Sequence, residues 1–411
     1  MKRLRGALSL IALVLGVVFI MMATLFPVPG DFSTPGFCIF CGERGGSDFL
    51  SNIILFAPFG LALAVRGVSG PLVFLIGGLF SLGIETLQID IIAGRDASLG
   101  DLIANTLGAF SGWLCFRTLC FLNQPPSSIR RSLGATAITA AVLLAGLSLF
   151  HPRLPDTDSW FMQWTAHLRG MDHYDGTVTS TRLGILSIPP GRIDQVDTVK
   201  ADLFTETLVV DGVAGSEPAR VAPIVSIFDG SQSQVFFIGA RGGDLIFQYG
   251  ARADRLGLDH STIRVADAFV EMIPGAPFRL VWRGDAKGYC FETGGKYRCG
   301  IGLTVGDTWS LVRFVDRPPT QRAVIQILWL WVVFIPAGVA ASQPRHLVAS
   351  VALMGLLLTG GSLLLGFAMT PLYQIAGAIP GLVTGAVGGA LVRASDQKTN
   401  TARHGLKGSQ T

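Results

Sequence analysis

The sequence predicts a polytopic α-helical membrane protein with about eight transmembrane helices and an extracytoplasmic all-β domain, a jelly-roll-like sandwich. Half of the 411 residues are hydrophobic and only 15% are charged. The mean hydropathy is +0.51, and this composition excludes an ordinary soluble chain. About 20 apolar residues cross a bilayer as a helix, and runs near that length occupy 7–28, 49–65, 71–92, 102–121, 132–150, 323–342, 347–369 and 372–392.

The positions of Lys and Arg predict the orientation, because short loops that stay in the cytoplasm are enriched in these residues. With eight spans, both termini are cytoplasmic and 151–321 is periplasmic or extracellular, as in a multi-pass protein of the bacterial inner (plasma) membrane. The first span has no clear small-residue cleavage site before Phe26, so we expect an anchor and not a removed signal peptide. The basic residues that agree with this orientation are Lys2, Arg3, Arg5, Arg66, Arg117, Arg130, Arg131, Arg345, Arg393, Lys398, Arg403 and Lys407.

Composition divides the chain into five segments. Residues 151–321 have ordinary charge density and frequent Gly and Asp, which predicts a separate, water-exposed domain. The last three spans carry no acid, and the spacing of Gly381 and Gly385 favours close helix packing, so we expect a scaffold that anchors this domain. The predicted segments are a four-helix membrane domain (1–122), a linker with the fifth transmembrane helix (123–150), the sandwich (151–321), three C-terminal transmembrane helices (322–393) and a cytoplasmic tail (394–411).

The six cysteines are interpreted by compartment, since disulfides persist in oxidising surroundings. Cys290 and Cys299 flank a predicted hairpin that turns at Gly294-Gly295, which favours a disulfide across the strands. Cys38 and Cys41 form a lone C-x-x-C in the first outer loop. One pair offers too few ligands for structural zinc, so a small disulfide loop is favoured over redox or metal chemistry and no metal site is predicted. The remaining two, expected to pack in apolar surroundings, are Cys115 and Cys120.

Polar side chains concentrate at the predicted outer ends of the second, third and fourth spans. Such groups are costly inside a membrane, so a cluster of them is a functional hypothesis by default. Short loops make the three spans neighbours, and we therefore expect the side chains to converge near the outer surface. We call this set the acid–amide cluster: Asp48, Asn52, Glu85, Gln88, Arg95, Asp101 and Asn105.

Each part of the cluster also has a structural interpretation. Asp48 and Asp101 suit helix N-caps, where acids complement the helix dipole. Glu85 is harder to explain as structure, because a carboxylate within a span needs a partner, and Arg95 is the nearest candidate. The whole set could satisfy its own charges, hold a polar head group, or position a proton donor and acceptor. Kinking or close helix contact explains the accompanying apolar and small residues: Phe56, Pro58, Gly60, Gly108 and Gly112.

These residues resemble the VanZ-like membrane family. The family pattern is D-x-x-x-N-x-x-x-F-x-P-x-G, then E-x-x-Q, an Arg, and D-x-x-x-N-x-x-G-x-x-x-G. The resemblance covers about 7–122, and Asp96 adds an acid beside Arg95 that is not part of the pattern. It implies a cell-envelope role linked to low-level glycopeptide (teicoplanin) resistance, without a biochemical mechanism. The positions that match are Asp48, Asn52, Phe56, Pro58, Gly60, Glu85, Gln88, Arg95, Asp101, Asn105, Gly108 and Gly112.

The outer domain is predicted as an antiparallel sandwich of short strands rich in β-branched and aromatic residues. The strands are expected at 177–180, 198–204, 207–211, 223–228, 234–240, 244–249, 278–282 and 309–314. The pattern resembles laminin-G or concanavalin-like domains, which implies glycan binding or calcium. No other cofactor is predicted. Acids that could hold calcium, and that surface turns explain equally well, are Asp172, Asp175, Asp229 and Asp244.

Two functions compete on this sequence. The first is an envelope protein whose sandwich recognises a cell-wall glycan while the four-helix domain binds a lipid-linked partner at the outer leaflet. The second is an intramembrane enzyme acting on a lipid-linked phosphate or glycan, with Glu85 or Asp101 as acid or base and Arg95 holding the anion. Transport is less favoured, because the ionisable groups gather at one surface. Membrane lipids are expected partners, and nucleic acid is not.

Overall fold

A computed structural model of the chain describes residues 2–26, 39–40, 42, 44–91, 98–125, 128–168, 170–259, 261–270, 272–285, 288–313, 317–341 and 343–407. In these ranges the long helices fall where the apolar runs predict them: α1 (Lys2–Leu25), α2 (Gly45–Val65), α3 (Gly70–Ile91), α4 (Leu99–Leu122), α5 (Ile129–Ser148), α7 (Pro319–Ala340), α8 (Pro344–Leu364) and α9 (Leu372–Lys407).

Six of these helices are long and apolar enough to cross a membrane, namely all except α1 and α4. In the described part of α1 the apolar stretch is shorter, Leu13–Leu25. α4 has the length, but polar residues such as Asp101, Asn105 and Arg117 interrupt its apolar sequence. A polytopic membrane protein is therefore confirmed, whereas the count of eight spans stays a prediction for these two helices.

Glycines bring the membrane helices into backbone contact. A Cβ on Gly60 of α2 would lie 1.7 Å from the carbonyl oxygen of Ala109 in α4. In the C-terminal part, a Cβ on Gly381 of α9 would lie 2.2 Å from the carbonyl oxygen of Trp331 in α7. No side chain fits at either distance, so α2 packs directly on α4, and the close packing predicted from Gly381 and Gly385 is confirmed.

The region between α5 and α7 is a sandwich of two six-stranded antiparallel sheets. Trp160, Phe236, Phe247, Trp282 and Phe291 are among its largest fully buried side chains. The two sheets follow the orders β4-β1-β6-β7-β8-β9 and β12-β11-β10-β5-β2-β3. The strands are β1 (Trp160–Trp164), β2 (Thr177–Leu183), β3 (Leu186–Ser187), β4 (Gly191–Arg192), β5 (Leu208–Val213), β6 (Ala222–Asp229), β7 (Gln234–Arg241), β8 (Asp244–Tyr249), β9 (Ser261–Val265), β10 (Pro277–Asp285), β11 (Gly288–Thr293) and β12 (Lys296–Ile301).

Two predicted strands are wrong. The segment 198–204 mostly forms helix α6 (Val196–Asp202), because Val196, Val199 and Leu203 recur at helical spacing and are all buried against the sandwich. The segment 309–314 overlaps a 3-10 helix, Val305–Leu311, which the side chain of Asp307 caps by accepting hydrogen bonds from Thr304. In both segments β-branched and aromatic composition favoured a strand, whereas burial on one helical face decided the structure.

The predicted hairpin and its disulfide are confirmed. β11 and β12 pair in antiparallel register around Gly294 and Gly295, whose φ angles of 56° and 75° suit glycine in a tight turn. Cys290 and Cys299 are bonded across the two strands, with their Cα atoms 4.1 Å apart. The bond therefore links neighbouring strands at one edge of the second sheet.

The sandwich contacts the membrane helices at one of their two ends. We call this end of the helices the sandwich side. The N-terminus of α2 contacts it directly, since the backbone N–H of Ser47 donates to the carbonyl oxygen of Gly257 at 3.0 Å. The hydroxyl of Ser47 donates to the carbonyl oxygen of Leu311 at 2.8 Å, and Arg44 forms an ion pair of 3.1 Å with buried Asp259. The first turn of α2, which carries Asp48, is thereby fixed against the sandwich.

Candidate functional site

The acids and amides of α2 and α4 meet at the sandwich side. The side-chain amide of Asn52 donates to the carboxylate of Asp101 over 2.5 Å. Ser98 begins α4 as its N-cap, and its hydroxyl accepts a hydrogen bond of 2.9 Å from the backbone N–H of Asp101. The N-cap predicted at Asp101 is thus Ser98, which leaves the Asp101 carboxylate directed at Asn52.

Of the two α3 members of the cluster, Glu85 contacts the same serine, whereas Gln88 contacts α1. The backbone N–H of Ser98 donates to the carboxylate of Glu85 at 2.9 Å, and Glu85 is only 6% exposed. The side-chain amide of Gln88, equally buried, donates to the carbonyl oxygen of Thr24 at 2.8 Å and so ties α3 to α1. Ser98 therefore links the carboxylate-bearing ends of α3 and α4.

Two buried amide oxygens in the cluster have no hydrogen-bond partner among the described residues. The amide nitrogen of Asn105 donates to the hydroxyl of Ser81 at 2.9 Å, but its Oδ1 atom accepts no bond there, and neither does Oε1 of Gln88. A buried acceptor without a donor is unfavourable by about 1–3 kcal/mol. Together with the carboxylates of Glu85 and Asp101, these oxygens make the described part of the site rich in acceptors.

The structure does not describe every predicted member of the cluster. Asp48 is exposed in the first turn of α2, with Arg44 as the N-cap residue, so the N-cap interpretation of Asp48 is wrong while the dipole interpretation fits. Arg95 and Asp96 lie outside the described residues. Among the described members, Asn52 contacts Asp101 directly and Glu85 contacts the start of α4 through Ser98. Gln88 and Asn105 bond instead to Thr24 and Ser81, so the convergence of the whole cluster stays a prediction.

The apolar and glycine positions of the motif serve the packing of α2 on α4. Phe56 is fully buried and Pro58 lies inside α2. A Cβ on Gly108 or Gly112 would approach a backbone oxygen of α2 to 2.5 Å or 1.9 Å. Together with Gly60, these residues hold α2 and α4 in contact and thus set the distance between Asn52 and Asp101.

An apolar groove of about 350 Å³ runs between α3 and α4 beside the cluster. Leu82 follows Ser81 on its α3 wall, and Leu102 and Ile103 follow Asp101 on its α4 wall. Sequence reasoning missed this groove, because apolar residues that face lipid and those that line a groove look alike in a hydropathy profile. Its other lining residues are Phe74, Leu75, Gly78, Leu79, Thr106 and Leu107.

A second, more polar cavity of about 470 Å³ lies between the base of the sandwich and the connection after α8, where Phe367 lines it. Tyr249 and Tyr289 line it together with Phe204 and the carboxylate of Asp285. Burial raises the pKa of Tyr289 to about 12, so its hydroxyl keeps its proton over the physiological range. Sequence reasoning did not single out these residues, whose only signal was the recurrence of aromatics along β8, β10 and β11.

The four acids proposed for calcium are all engaged in other contacts. Asp172 accepts from the backbone and side chain of Arg220, which lowers the pKa of that carboxyl group. Asp175 accepts from Ser216, and Asp244 pairs with Arg264. Asp229 accepts three hydrogen bonds within its own turn, from Ser231 and Ser233. Calcium binding stays a prediction for which the described residues offer no assembled ligand set.

The cysteines add no metal site in the described part of the chain. The one group of three potential ligands there is Asp285 with Cys290 and Cys299, and its two sulfurs are joined in the disulfide. Cys115 and Cys120 are free and exposed on the surface of α4, so their predicted burial is wrong. The C-x-x-C of Cys38 and Cys41 lies outside the described residues.

In the comparison with known proteins, a family model matches the first four helices. No curated protein and no solved structure matches the chain. Residues 13–121 match the VanZ/LLP1 family model, and this range contains the acid–amide cluster and the groove. The sandwich and the last three helices lie outside it. Residues 13–121 are therefore similar to a VanZ/LLP1 domain, which confirms the resemblance drawn from the polar motifs for this part of the membrane protein.

Proposed function

We propose that the protein binds a lipid-linked partner of the bacterial cell envelope through the acid–amide cluster, and a glycan through the sandwich. The observation that carries this proposal is that both sites lie on the sandwich side. The first turn of α2 contacts the sandwich through Ser47, and Asn52, one turn further along, contacts Asp101. A molecule with a glycan outside the membrane and an anchor within it could reach both sites. The predicted orientation places them in the periplasm or extracellular space.

The lipid part of the proposal rests on a polar site that adjoins an apolar groove. Head groups need donors and acceptors in fixed positions, whereas a hydrocarbon chain needs an uninterrupted apolar surface. Asp101 belongs to the cluster, Ser81 accepts a hydrogen bond from its member Asn105, and the residues that follow Asp101 and Ser81 line the groove. A lipid head at the cluster would thus direct its chain between α3 and α4.

The glycan part rests on the aromatic cavity of the sandwich. Sugar rings pack their C–H faces against aromatic side chains, while hydroxyl groups bind carboxylates and carbonyl oxygens. Tyr249, Tyr289 and Asp285 provide both kinds of surface around one space. A cell-wall or lipid-linked glycan is the class that fits.

The proposal is tested by envelope lipid and cell-wall profiling, with teicoplanin susceptibility, in a deletion strain. Wild type should restore the profile, whereas Arg95→Ala and Asp101→Ala should not, at equal expression. Thr86→Ala is the matched control on α3, because Thr86 is exposed and its hydroxyl bonds only to its own helix. Full restoration by Asp101→Ala would show that the cluster binds no envelope component.

The glycan arm uses the full chain in detergent on an envelope glycan array. Asp285→Asn should reduce the signal by about tenfold, which corresponds to the roughly 1.4 kcal/mol of one good hydrogen bond. Asp197→Asn, at an exposed position of α6 away from the cavity, is the control. If the wild-type chain binds no glycan on the array, glycan recognition by the sandwich is excluded.

A second candidate function is an intramembrane enzyme acting on a lipid-linked phosphate or glycan. The specific observation that favours it is the position of two carboxyl-bearing residues on either side of Ser98, whose backbone N–H donates to the carboxylate of Glu85 and whose hydroxyl accepts from the backbone N–H of Asp101. Paired carboxyl groups in different surroundings can divide the roles of acid and base. Glu85→Gln should then abolish turnover of a prenyl-linked substrate by the purified chain. Retained turnover would exclude this candidate.

A further inference from the structure

The last membrane helices repeat the spacing of α2–α4. An offset of 278 residues places the F-x-P-x-G segment of α2, residues 56–60, on the same pattern in α7, residues 334–338. An offset of 273 relates α3 and α4 to α8 and α9. At that offset the end of α3 matches the end of α8, at Ile91 and Leu364, and the start of α4 matches the start of α9, at Leu99 and Leu372.

Backbone contacts between the helices recur at the matched positions. A Cβ on Gly60 would meet the carbonyl oxygen of Ala109, and one on Gly338 would meet that of Leu382, which matches Ala109. Three coincident contacts in two separate helix pairs indicate one architecture used twice. The other two are those of Gly108 with Ile53 and Gly112 with Ala57, which recur as those of Gly381 with Trp331 and Gly385 with Ile335.

Chain order supports the same conclusion. We call α1–α4 the first unit, and α5 with α7–α9 the second unit. In the second unit the sandwich lies between the first and second helices, where the first unit has only the connection from α1 to α2. The second unit is therefore a repeat of the first, with the sandwich inserted in its first connection.

In both units the segment before the second helix covers the start of the fourth helix. In the first unit this segment contains Ile39, whose carbonyl oxygen a Cβ on Gly100 would approach to 2.1 Å. In the second unit it is a turn of the sandwich, residues 304–308, in which the backbone N–H of Gly306 donates to the side chain of Gln374 at 3.1 Å. The chain itself thus occupies this position in both units.

The second unit lacks the acids of the cluster but keeps an arginine. No acid occurs in α5, α7 or α8, nor in α9 before Asp396. Arg322 stands where the first unit has Arg44, at the offset of α2 and α7. The helices of the second unit therefore bring positive charge to the sandwich side. The neutral residues that stand where the first unit has Asp48, Glu85 and Asp101 are Gln326, Leu358 and Gln374.

Arg322 pairs with a sandwich acid, Asp307, whose hydrogen bonds are complete. Oδ1 of Asp307 accepts from Nε and Nη2 of Arg322 at 3.0 and 2.6 Å, and from the amide of Gln326 at 2.7 Å. Oδ2 accepts from the backbone N–H and the hydroxyl of Thr304, both at 2.9 Å. Five donors fill the about four lone-pair positions of a carboxylate, so Asp307 has no capacity for another donor.

Arg322, in contrast, has donors to spare. Its Nη2 also donates to the carbonyl oxygen of Thr262 at 3.2 Å, whereas its Nη1 forms no hydrogen bond with the described residues. The side chain is only 17% exposed. A guanidinium group stays charged, and buried N–H groups are almost always hydrogen-bonded. Nη1 therefore calls for an acceptor.

A cavity of about 270 Å³ lies beside Arg322, and we call it the guanidinium cavity. Its charged lining consists of Arg322, the saturated Asp307, and Arg264, which pairs with Asp244. Met369 also lines it and is 57% exposed, so the cavity is reachable there. Met369 belongs to the connection between the spans of α8 and α9, at the height where lipid head groups lie.

The guanidinium cavity shares a wall with the aromatic cavity at the base of the sandwich. Gly302 and Ala368 line both. A Cβ on Gly302 would lie 3.3 Å from the Cβ of Ala368, so one glycine and one methyl group divide the two spaces. A ligand with a sugar in the aromatic cavity thus has the guanidinium cavity as the next space for the group attached to that sugar.

We infer that the guanidinium cavity binds the phosphate group of a phosphate-linked glycan, whose sugar occupies the aromatic cavity. The glycan part rests on the proposed function. Phosphate oxygens are acceptors only, which suits the unbonded Nη1 of Arg322, and charge strengthens such hydrogen bonds. α7 begins at Pro319 on the cavity wall without a side-chain cap, so the positive end of its dipole adds to the attraction.

The test measures the unfolding midpoint of the full chain in a detergent without sugar or phosphate groups. The probes are dodecyl phosphate, inorganic phosphate and dodecanol. We expect dodecyl phosphate, inorganic phosphate or both to raise the midpoint, and dodecanol to leave it unchanged. A larger effect of the ester identifies a lipid-borne phosphate, and equal effects identify a soluble one. Equal stabilisation by dodecanol and dodecyl phosphate would overturn the inference.

Matched variants locate the site. Met369→Glu puts a carboxylate beside the cavity and should weaken phosphate binding roughly tenfold or more. Val270→Glu adds the same charge at a sandwich residue that is 58% exposed and lines neither cavity, and it should bind as wild type does. An equal loss in both variants would overturn the inference, because net charge alone would explain it.

A double variant tests the guanidinium itself. Arg322→Gln combined with Asp307→Asn removes both partners of the ion pair, so no buried charge is left unpaired. Its response to phosphate should be lost, and its midpoint without probe reports whether the junction has kept its fold. Undiminished phosphate binding in this variant or in Met369→Glu would overturn the inference.

The glycan array separates this inference from the proposed function. Glycan binding without any response to phosphate would overturn the inference and leave glycan recognition intact. A response to phosphate without any bound glycan would overturn glycan recognition and the assignment of a linked sugar, and would leave the guanidinium cavity as a phosphate site.

Discussion

Ser98 shows how a single polar residue joins the carboxylate of one helix to the first turn of another. Its hydroxyl caps α4 beside Asp101, and its backbone N–H binds Glu85. The spacing of acids and amides predicted that Asn52, Glu85, Asp101 and Asn105 would gather, because each lies toward the predicted outer end of its span. Spacing could not predict that Ser98, and not Asp101, would be the cap, since serine and aspartate both suit that role.

His151 at the base of the sandwich should make stability depend on pH. Its ring packs on Phe367 at 4.6 Å, and burial, followed by the nearby charge of Arg252, lowers the pKa of His151 below its ordinary 6.5. The unfolded chain therefore binds a proton before the folded chain does. Stability should be full above about pH 6.5 and should fall as the pH decreases through that value.

The measurement is the unfolding midpoint of the full chain at pH 7.5 and 5.5. His151→Gln should lose less stability on acidification than wild type does, because it removes this titration. An equal loss in wild type and variant would assign the pH dependence to other groups.

At the scale of elements, amphipathic spacing was a better guide than composition. The long helices coincide with the apolar runs of the sequence, since each such helix places apolar side chains against other helices or against lipid. The two wrong strands, 198–204 and 309–314, contain β-branched and aromatic residues whose periodicity is helical or whose neighbours cap a helical turn. Strand propensity contributes little free energy, and packing against the sandwich core outweighs it.

The contact between α2 and α4 should tolerate no side chain at its closest point. Gly60→Ala places a Cβ 1.7 Å from the backbone of Ala109, so the helices must separate, at a cost of about 1–3 kcal/mol. The unfolding midpoint should fall, and the function of the cluster should fall with it.

Gly83→Ala on α3 is the control for that change, because a Cβ there meets nothing within 4 Å. Alanine has the higher helix propensity, so this variant should be neutral or slightly stabilising. Similar destabilisation by both variants would mean that loss of glycine itself, and not the contact, is responsible.

At the scale of the whole molecule, the sandwich links two four-helix units. Its ion pairs through Arg44 and Arg322 and its contacts with Ser47 place it across the sandwich side of both. The sandwich therefore contacts the first turn of α2 directly, one turn from Asn52.

The predicted orientation is tested by labelling intact spheroplasts with a membrane-impermeant maleimide. Ile185 in the sandwich is fully exposed, and Arg345 lies exposed at the start of α8 on the opposite side. In a background in which serine replaces Cys38, Cys41, Cys115 and Cys120, Ile185→Cys should react and Arg345→Cys should react only after lysis. The reverse pattern would invert the topology.

The sequence alone determined the class of this protein, the positions of its long helices, the sandwich, the Cys290–Cys299 disulfide and the proximity of α2 to α4 at Asn52 and Asp101. These features depend on periodicity, spacing and local turn chemistry, which are visible along the chain. Only the tertiary structure decided that Ser98 links Glu85 to Asp101, that α3 and α4 enclose a groove, and that α7–α9 repeat α2–α4 around a turn of the sandwich. The physical reason is that such contacts join residues far apart in sequence, so no local pattern along the chain predicts them.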